Sequence, residues 1–182
     1  KRQVLDAFQY PNALNVRSPV NRDLMIYKAS EDRIFIGNTA KGYEIEVYNL
    51  DGNMVRKIRK EYKPVLVREE VKEDYFKLWP KDDPLRNNFY FTENWPPFRG
   101  LFADDSGRLF VLTYEAGLNL GEFMYDIFNS EGIFIGRLSL ANMKNLCRSD
   151  SFTIKAKKNC LYGLQEKENG YKELVAYRMI WR

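Results

Sequence analysis

Short runs of alternating apolar and polar residues, each closed by a Gly, Asn or Asp turn, recur along this chain. Two of them superimpose without a gap: Tyr43-Glu-Ile-Glu-Val-Tyr-Asn-Leu-Asp-Gly52 and Phe123-Met-Tyr-Asp-Ile-Phe-Asn-Ser-Glu-Gly132. Each follows a second strand-like run, residues 33–37 and 108–112. Period-two alternation between turn residues is the mark of hairpin-linked strands, so the repeated unit is a β-meander. Such a unit can bury only its faces and must stack against others like itself.

Extending the pattern predicts three blade-like units within one domain, residues 1–182, at about 21–60, 98–140 and 150–182. The first holds strands at 24–29, 33–38, 43–50 and 53–59, and the second at 100–103, 108–114, 121–129 and 133–139. The third runs through 151–156, 159–164 and 170–181, and its outer strand is missing. Gly52 and Gly132 fall where hairpin turns demand a positive φ. Ile34, Leu109 and Leu161 align in the second strands, followed by Phe35, Phe110 and Tyr162, and are expected to pack. Residues 60–97 form an insertion in which 68–79 has the spacing of one short amphipathic helix, ended by Pro80 and Pro84. A weaker strand signal at 4–10 and 13–16 suggests the outer strand of a preceding blade. The expected fold is therefore all-β, a propeller-like array of about three four-stranded antiparallel blades, a half propeller, with one helix between blades.

The run Tyr43-Glu-Ile-Glu-Val-Tyr-Asn-Leu-Asp-Gly-Asn-Met-Val-Arg-Lys-Ile58 is followed by Glu61-Tyr-Lys-Pro-Val65, an acidic helix, Pro97-Phe-Arg-Gly-Leu101 and Asp104-Asp-Ser-Gly-Arg-Leu-Phe-Val111. This combination resembles the C-terminal half of a bacterial six-bladed β-propeller family similar to NHL-repeat propellers. The resemblance implies a fold, an exported or surface location, and no assigned reaction. An array of three sheets leaves an end face that must be covered. A missing N-terminal half or a second copy of the chain closing a ring would do so, in preference to a flatter sandwich.

Composition narrows the chemistry. With 182 residues, 45% of them hydrophobic, the chain can bury a core without metal or disulfide support. Its 29 basic and 25 acidic residues are mixed throughout, so a net charge of +4 is not a nucleic-acid footprint. No apolar run reaches the ~20 residues of a membrane helix, and Lys1-Arg-Gln opens without a signal-peptide core, so a leader, if any, is expected outside this chain. There is no His, which removes Ser-His-Asp and Cys-His catalysis and His-ligated zinc. Cys147 and Cys160 do not have metal or redox spacing; they read as free or buried thiols, with a disulfide as the alternative.

Asp104-Asp105-Ser-Gly107 and Asn49-Leu-Asp-Gly52 lack the spacing of a calcium loop and read as turn chemistry. No cofactor is expected. Acid–base hydrolysis would need Asp104 to converge with Glu115 or Glu122. Trp95, Phe98, Tyr114 and Tyr43 lie near strand entrances, where they read as packing or as an aromatic ligand site, and Arg99 begins an inner strand, where a guanidinium suits a carboxylate or phosphate. The alternative role for Arg99 is a salt bridge to a neighbouring blade. Arg99, Trp95, Phe98 and Tyr114 are the candidate ligand site of a non-catalytic binding or interaction module for a peptide, glycan or small anion. A propeller hydrolase or lyase is the competing class, and a purely structural assembly surface the third.

Overall fold

The computed structural model describes residues 17–30, 32–140, 154–166 and 169–180. In chain order the first strands are β1 (Ser18–Pro19), β2 (Met25–Ala29), β3 (Arg33–Asn38), β4 (Glu44–Asn49) and β5 (Met54–Arg59). The helix α1 (Glu69–Lys77) and β6 (Phe89–Tyr90) follow. The remaining strands are β7 (Gly100–Ala103), β8 (Leu109–Ala116), β9 (Phe123–Phe128), β10 (Phe134–Leu140), β11 (Ile154–Lys157), β12 (Cys160–Glu166) and β13 (Lys172–Arg178). They fall into two compact units.

The larger unit, Asp23–Val65 with the described residues from Trp95 onward, contains three antiparallel meanders. Their orders are β2-β3-β4-β5, β7-β8-β9-β10 and β11-β12-β13. The fold is all-β and blade-like, and the expected strands at 33–38 and 100–103 recur at the same limits. Other strands start or stop a few residues away. The third sheet has three strands among the described residues, while the runs at 4–10 and 13–16 lie outside them.

Core packing explains why these runs alternate as they do. Phe35, Ile45, Val47 and Ile58 of the first sheet pack with Phe98, Leu101, Leu109, Val111 and Phe128. On the opposite side of the second sheet, Phe102, Phe110, Leu112, Tyr125 and Ile127 pack with Ala156 and Leu161 of the third. Successive strand residues face opposite sides, so a sheet covered on both faces needs a continuous apolar run. Leu109–Phe110–Val111–Leu112 is that run, and all four are buried. The aligned pairs keep one sense throughout: Leu109 and Leu161 face the preceding sheet, Phe35 and Phe110 the following one. At the two ends of the stack their equivalents, Ile34 and Tyr162, are only half-buried. β7, the first strand of the second sheet, lies beside both β2 and β11.

The turns repeat as closely as the strands. Asn49 and Asn129 each accept a hydrogen bond from the glycine three residues on, at 3.1 and 2.9 Å, and Gly52 and Gly132 have φ of 83° and 78°. The side-chain oxygens of the two asparagines receive the backbone N–H of Asn53 and Ile133, at 2.8 and 2.9 Å. Asn and Gly are thus there for turn geometry. Gly37 serves a different purpose, since a Cβ placed on it would stand 2.6 Å from the ring of Phe98.

The smaller unit gathers residues 17–22 with Leu66–Asn94, most of the insertion. Parallel β1 and β6 pair Ser18 with Phe89 and Pro19 with Tyr90. The Asn21 amide donates to Thr92 Oγ1 at 2.7 Å and to the Asn94 carbonyl at 2.8 Å, and accepts from the Thr92 N–H at 2.8 Å. The helix expected at 68–79 is α1, with Glu69 and Glu70 in its first turn and Lys77 in its last, charges that suit the helix dipole. Tyr75, Phe76 and Trp79 pack around Phe89 and Phe91. One-turn 3-10 helices at Thr39–Lys41 and Arg86–Asn88 carry no periodicity and were not legible beforehand.

Candidate functional site

Trp95-Pro-Pro-Phe98 enters the second sheet as a non-helical segment with a bend at Pro97, each proline disfavouring helical backbone at the residue before it. It is pinned at both ends: the Trp95 N–H donates to the Val65 carbonyl at 2.8 Å and the Arg99 N–H to Leu112 at 2.9 Å. Three of the four expected residues are brought together. The rings of Trp95 and Tyr114 stack with centroids 4.5 Å apart and planes 9° from parallel. The guanidinium carbon of Arg99 lies 5.2 Å from the Tyr114 centroid and 3.8 Å from that of Phe123. Phe98 is not a member of this group. It is fully buried in the core between the first two sheets, with its ring against Gly37.

Arg99 makes no inter-sheet salt bridge among the described residues. Its Nε and Nη2 are shielded from water and have no hydrogen-bond partner among the described residues. Buried polar atoms in that condition are rare and call for an explanation. Phe123 is a member of the group that sequence reasoning missed. The pairing of Ala116 with Phe123 across β8 and β9 brings that ring to the strand end holding Tyr114, and sequence spacing does not fix that register.

The acidic residues are spoken for individually. Asp104 accepts from the N–H groups of Ser106 and Arg108, both at 2.9 Å, and from Arg108 Nε at 2.6 Å, which makes it the staple of its turn. Glu115 pairs with Arg137 at 2.8 Å. Glu122 accepts from the Ser139 hydroxyl and from Asn119, and these bonds hold its carboxyl below the usual range. Each of the three has its own partners, and among the described residues no group of three or more Cys, Asp or Glu is placed to hold a metal. Cys160 is a free thiol, and Cys147 lies outside the described residues.

A second polar group sits between the first two sheets. Asp126 has no exposed surface, and its carboxylate receives Tyr43 Oη at 2.7 Å, Lys60 Nζ at 3.1 Å and Arg137 Nε at 2.9 Å. Lys60 also lies 5.4 and 5.2 Å from the rings of Tyr43 and Phe134. Burial, then the Asp126 charge, push the Tyr43 phenol well above its ordinary pKa, so it remains a donor. A shallow cleft of about 330 Å³ opens beside this group, lined by Lys41, Tyr43, Glu44, Arg59, Lys60 and Glu61. Its charges are largely paired already, with Glu44 held by Arg59 at 2.6 Å and Lys57 at 3.2 Å. Every member of the buried group has a partner, which is the condition under which such a cluster is structural rather than reactive.

Compared with known proteins, the chain matches no family model and no curated protein sequence. Among the described residues no helix is long and apolar enough to cross a membrane.

Proposed function

We propose that this protein is a non-catalytic binding module of the β-propeller kind, which receives an anionic ligand at Arg99 beside Trp95 and Tyr114. The observation that carries the reading is the Arg99 guanidinium, held against aromatic rings with two buried nitrogens and no acidic partner among the described residues. Rings with a single convergent polar head are the usual furniture of a ligand site. The separate engagement of Asp104, Glu115 and Glu122 favours binding over hydrolysis.

Completion by further blades is part of the proposal, and so is work outside the cytoplasm, which rests on the family resemblance. The end face of the first sheet supports completion: Met25 and Tyr27 stand 71% and 78% exposed beside half-buried Ile34, Ile36 and Tyr48. Such a face is costly in water, and blades from the same polypeptide or from a second copy would cover it. Calorimetric titration with inorganic phosphate and with acetate tests the binding reading. Arg99→Ala is expected to abolish the response of at least one anion without lowering the melting temperature. A loss of stability with no change in anion response would assign Arg99 to packing instead.

A further inference from the structure

The two orphaned nitrogens of Arg99 are not an arbitrary pair. Nε–H and the outward N–H of Nη2 lie on one edge of the planar guanidinium and point the same way, forming its side-on fork. Two parallel donors in one plane match the two oxygens of a carboxylate. We propose that Arg99 is a carboxylate receptor, taking one carboxylate edge-on through Nε and Nη2, with Phe123 and Tyr114 packed against the guanidinium. The inference rests on the binding reading above and specifies its ligand class.

The surroundings decide between carboxylate and phosphate. Phe123 lies 3.8 Å from the guanidinium carbon, Tyr114 lies 5.2 Å away, and Trp95 continues the wall by stacking on Tyr114. The ring faces packed on the guanidinium carry no donors, so the further oxygens of a tetrahedral dianion would depend on the Tyr114 hydroxyl or the Trp95 indole N–H. A carboxylate has two oxygens and both are met by the fork. The nearest acid along the strand, Glu115, is already held by Arg137 at 2.8 Å and does not compete for the fork. Arg99 as a whole is half-buried while its Nε and Nη2 are shielded from water, so admitting a carboxylate requires the surrounding side chains to move.

The source of the carboxylate is either a small acid or an acidic side chain or C-terminus of a peptide. The test follows the Arg99 Nε–H resonance of the ¹⁵N-labelled protein during titration with acetate, with a short peptide bearing a free C-terminal carboxylate, with the same peptide amidated, and with inorganic phosphate. The expected result is a saturable downfield shift with acetate or the free-acid peptide and none with phosphate or the amidated peptide. Acetate alone would identify a small acid, and a tighter response to the free-acid peptide would identify a chain terminus. Arg99→Lys keeps the charge but not the fork and is expected to weaken the carboxylate response at least tenfold, with folding checked by the backbone spectrum.

Phosphate shifting the resonance as strongly as carboxylate, or Arg99→Lys binding as well as the parent, would overturn the carboxylate assignment while leaving an anion-binding module. Silence toward every anion would remove both readings. Arg99→Met separates that last outcome from misfolding. A more stable variant would show that the guanidinium was a desolvation cost borne for packing alone.

Discussion

The Tyr43 phenol donates a 2.7 Å hydrogen bond to Asp126, a fully buried carboxylate 83 residues further along the chain. It ties the first sheet to the second across their largely apolar shared core. Lys60 and Arg137 complete the coordination, so removing the carboxylate strips Lys60 of its acid partner and leaves Arg137 with Glu115 alone. Asp126→Ala is expected to cost about 3–5 kcal/mol, the usual loss when one partner of a buried charge group is deleted. Tyr43→Phe removes a single donor and is expected to cost about 1–3 kcal/mol. Urea unfolding of both variants checks the ranking, and a Tyr43→Phe midpoint equal to the parent's would make the bond incidental.

The same bond sets a response to alkali. The folded pKa of Tyr43 is raised from an ordinary value of 10.0, so above that pH the native state retains a proton that the unfolded chain releases. Stability from this group is complete below pH 10 and declines as pH rises beyond it. Tyr43→Phe is expected to flatten the decline between pH 10 and 11.5, measured by thermal melting at fixed ionic strength.

Glu46 contributes to the acid limb. The Tyr48 hydroxyl at 2.9 Å, with Lys57 and Lys41, holds its carboxyl down to about 2 from 4.5. A depressed carboxyl contributes stability above its ordinary pKa and loses it as pH falls toward the folded value. Melting temperature is therefore expected to fall between pH 4.5 and 2, less steeply in Glu46→Gln than in the parent. Parallel slopes in the two proteins would remove Glu46 from the account.

Phe98 is a core residue, and its substitution should behave as one. Phe98→Ala is expected to cost about 3–5 kcal/mol and to leave the Arg99 side-chain resonance responsive to anions wherever the fold survives. A full-strength fold with altered anion response would return Phe98 to the ligand site.

The glycine turns allow a graded comparison. Val at either Gly52 or Gly132 meets a positive φ, but only at Gly132 does a Cβ also approach Ile58, at 2.9 Å. Both substitutions are expected to destabilise by on the order of 1 kcal/mol or more, with Gly132→Val the worse. Equal midpoints for the pair would mean that Ile58 yields freely.

The meanders, their turns, the helix in the insertion and the aligned packing positions were legible in the sequence because they rest on local rules. Alternation of period two, Asn and Gly where φ turns positive, and proline after a helix each act within a few residues. The gap-free superposition of 43–52 on 123–132 even sets Glu46 against Asp126, and its continuation sets Lys57 against Arg137. In the structure both are cross-strand acid–base pairs, at 3.2 and 2.9 Å. What alternation cannot say is which of two equivalent pairs lies between sheets. Asp126 is sealed by Tyr43 and Lys60 from the preceding sheet, whereas Glu46 is partly exposed and answered by its own neighbours Tyr48 and Lys41. The site divides in the same way: the order Trp95-Pro-Pro-Phe98-Arg99 places all these side chains at one strand entrance. Only packing sent Phe98 into the core beside Gly37, stacked Trp95 on Tyr114, and set the Arg99 fork among rings, because burial is decided by which surfaces meet and sequence spacing fixes no such meeting.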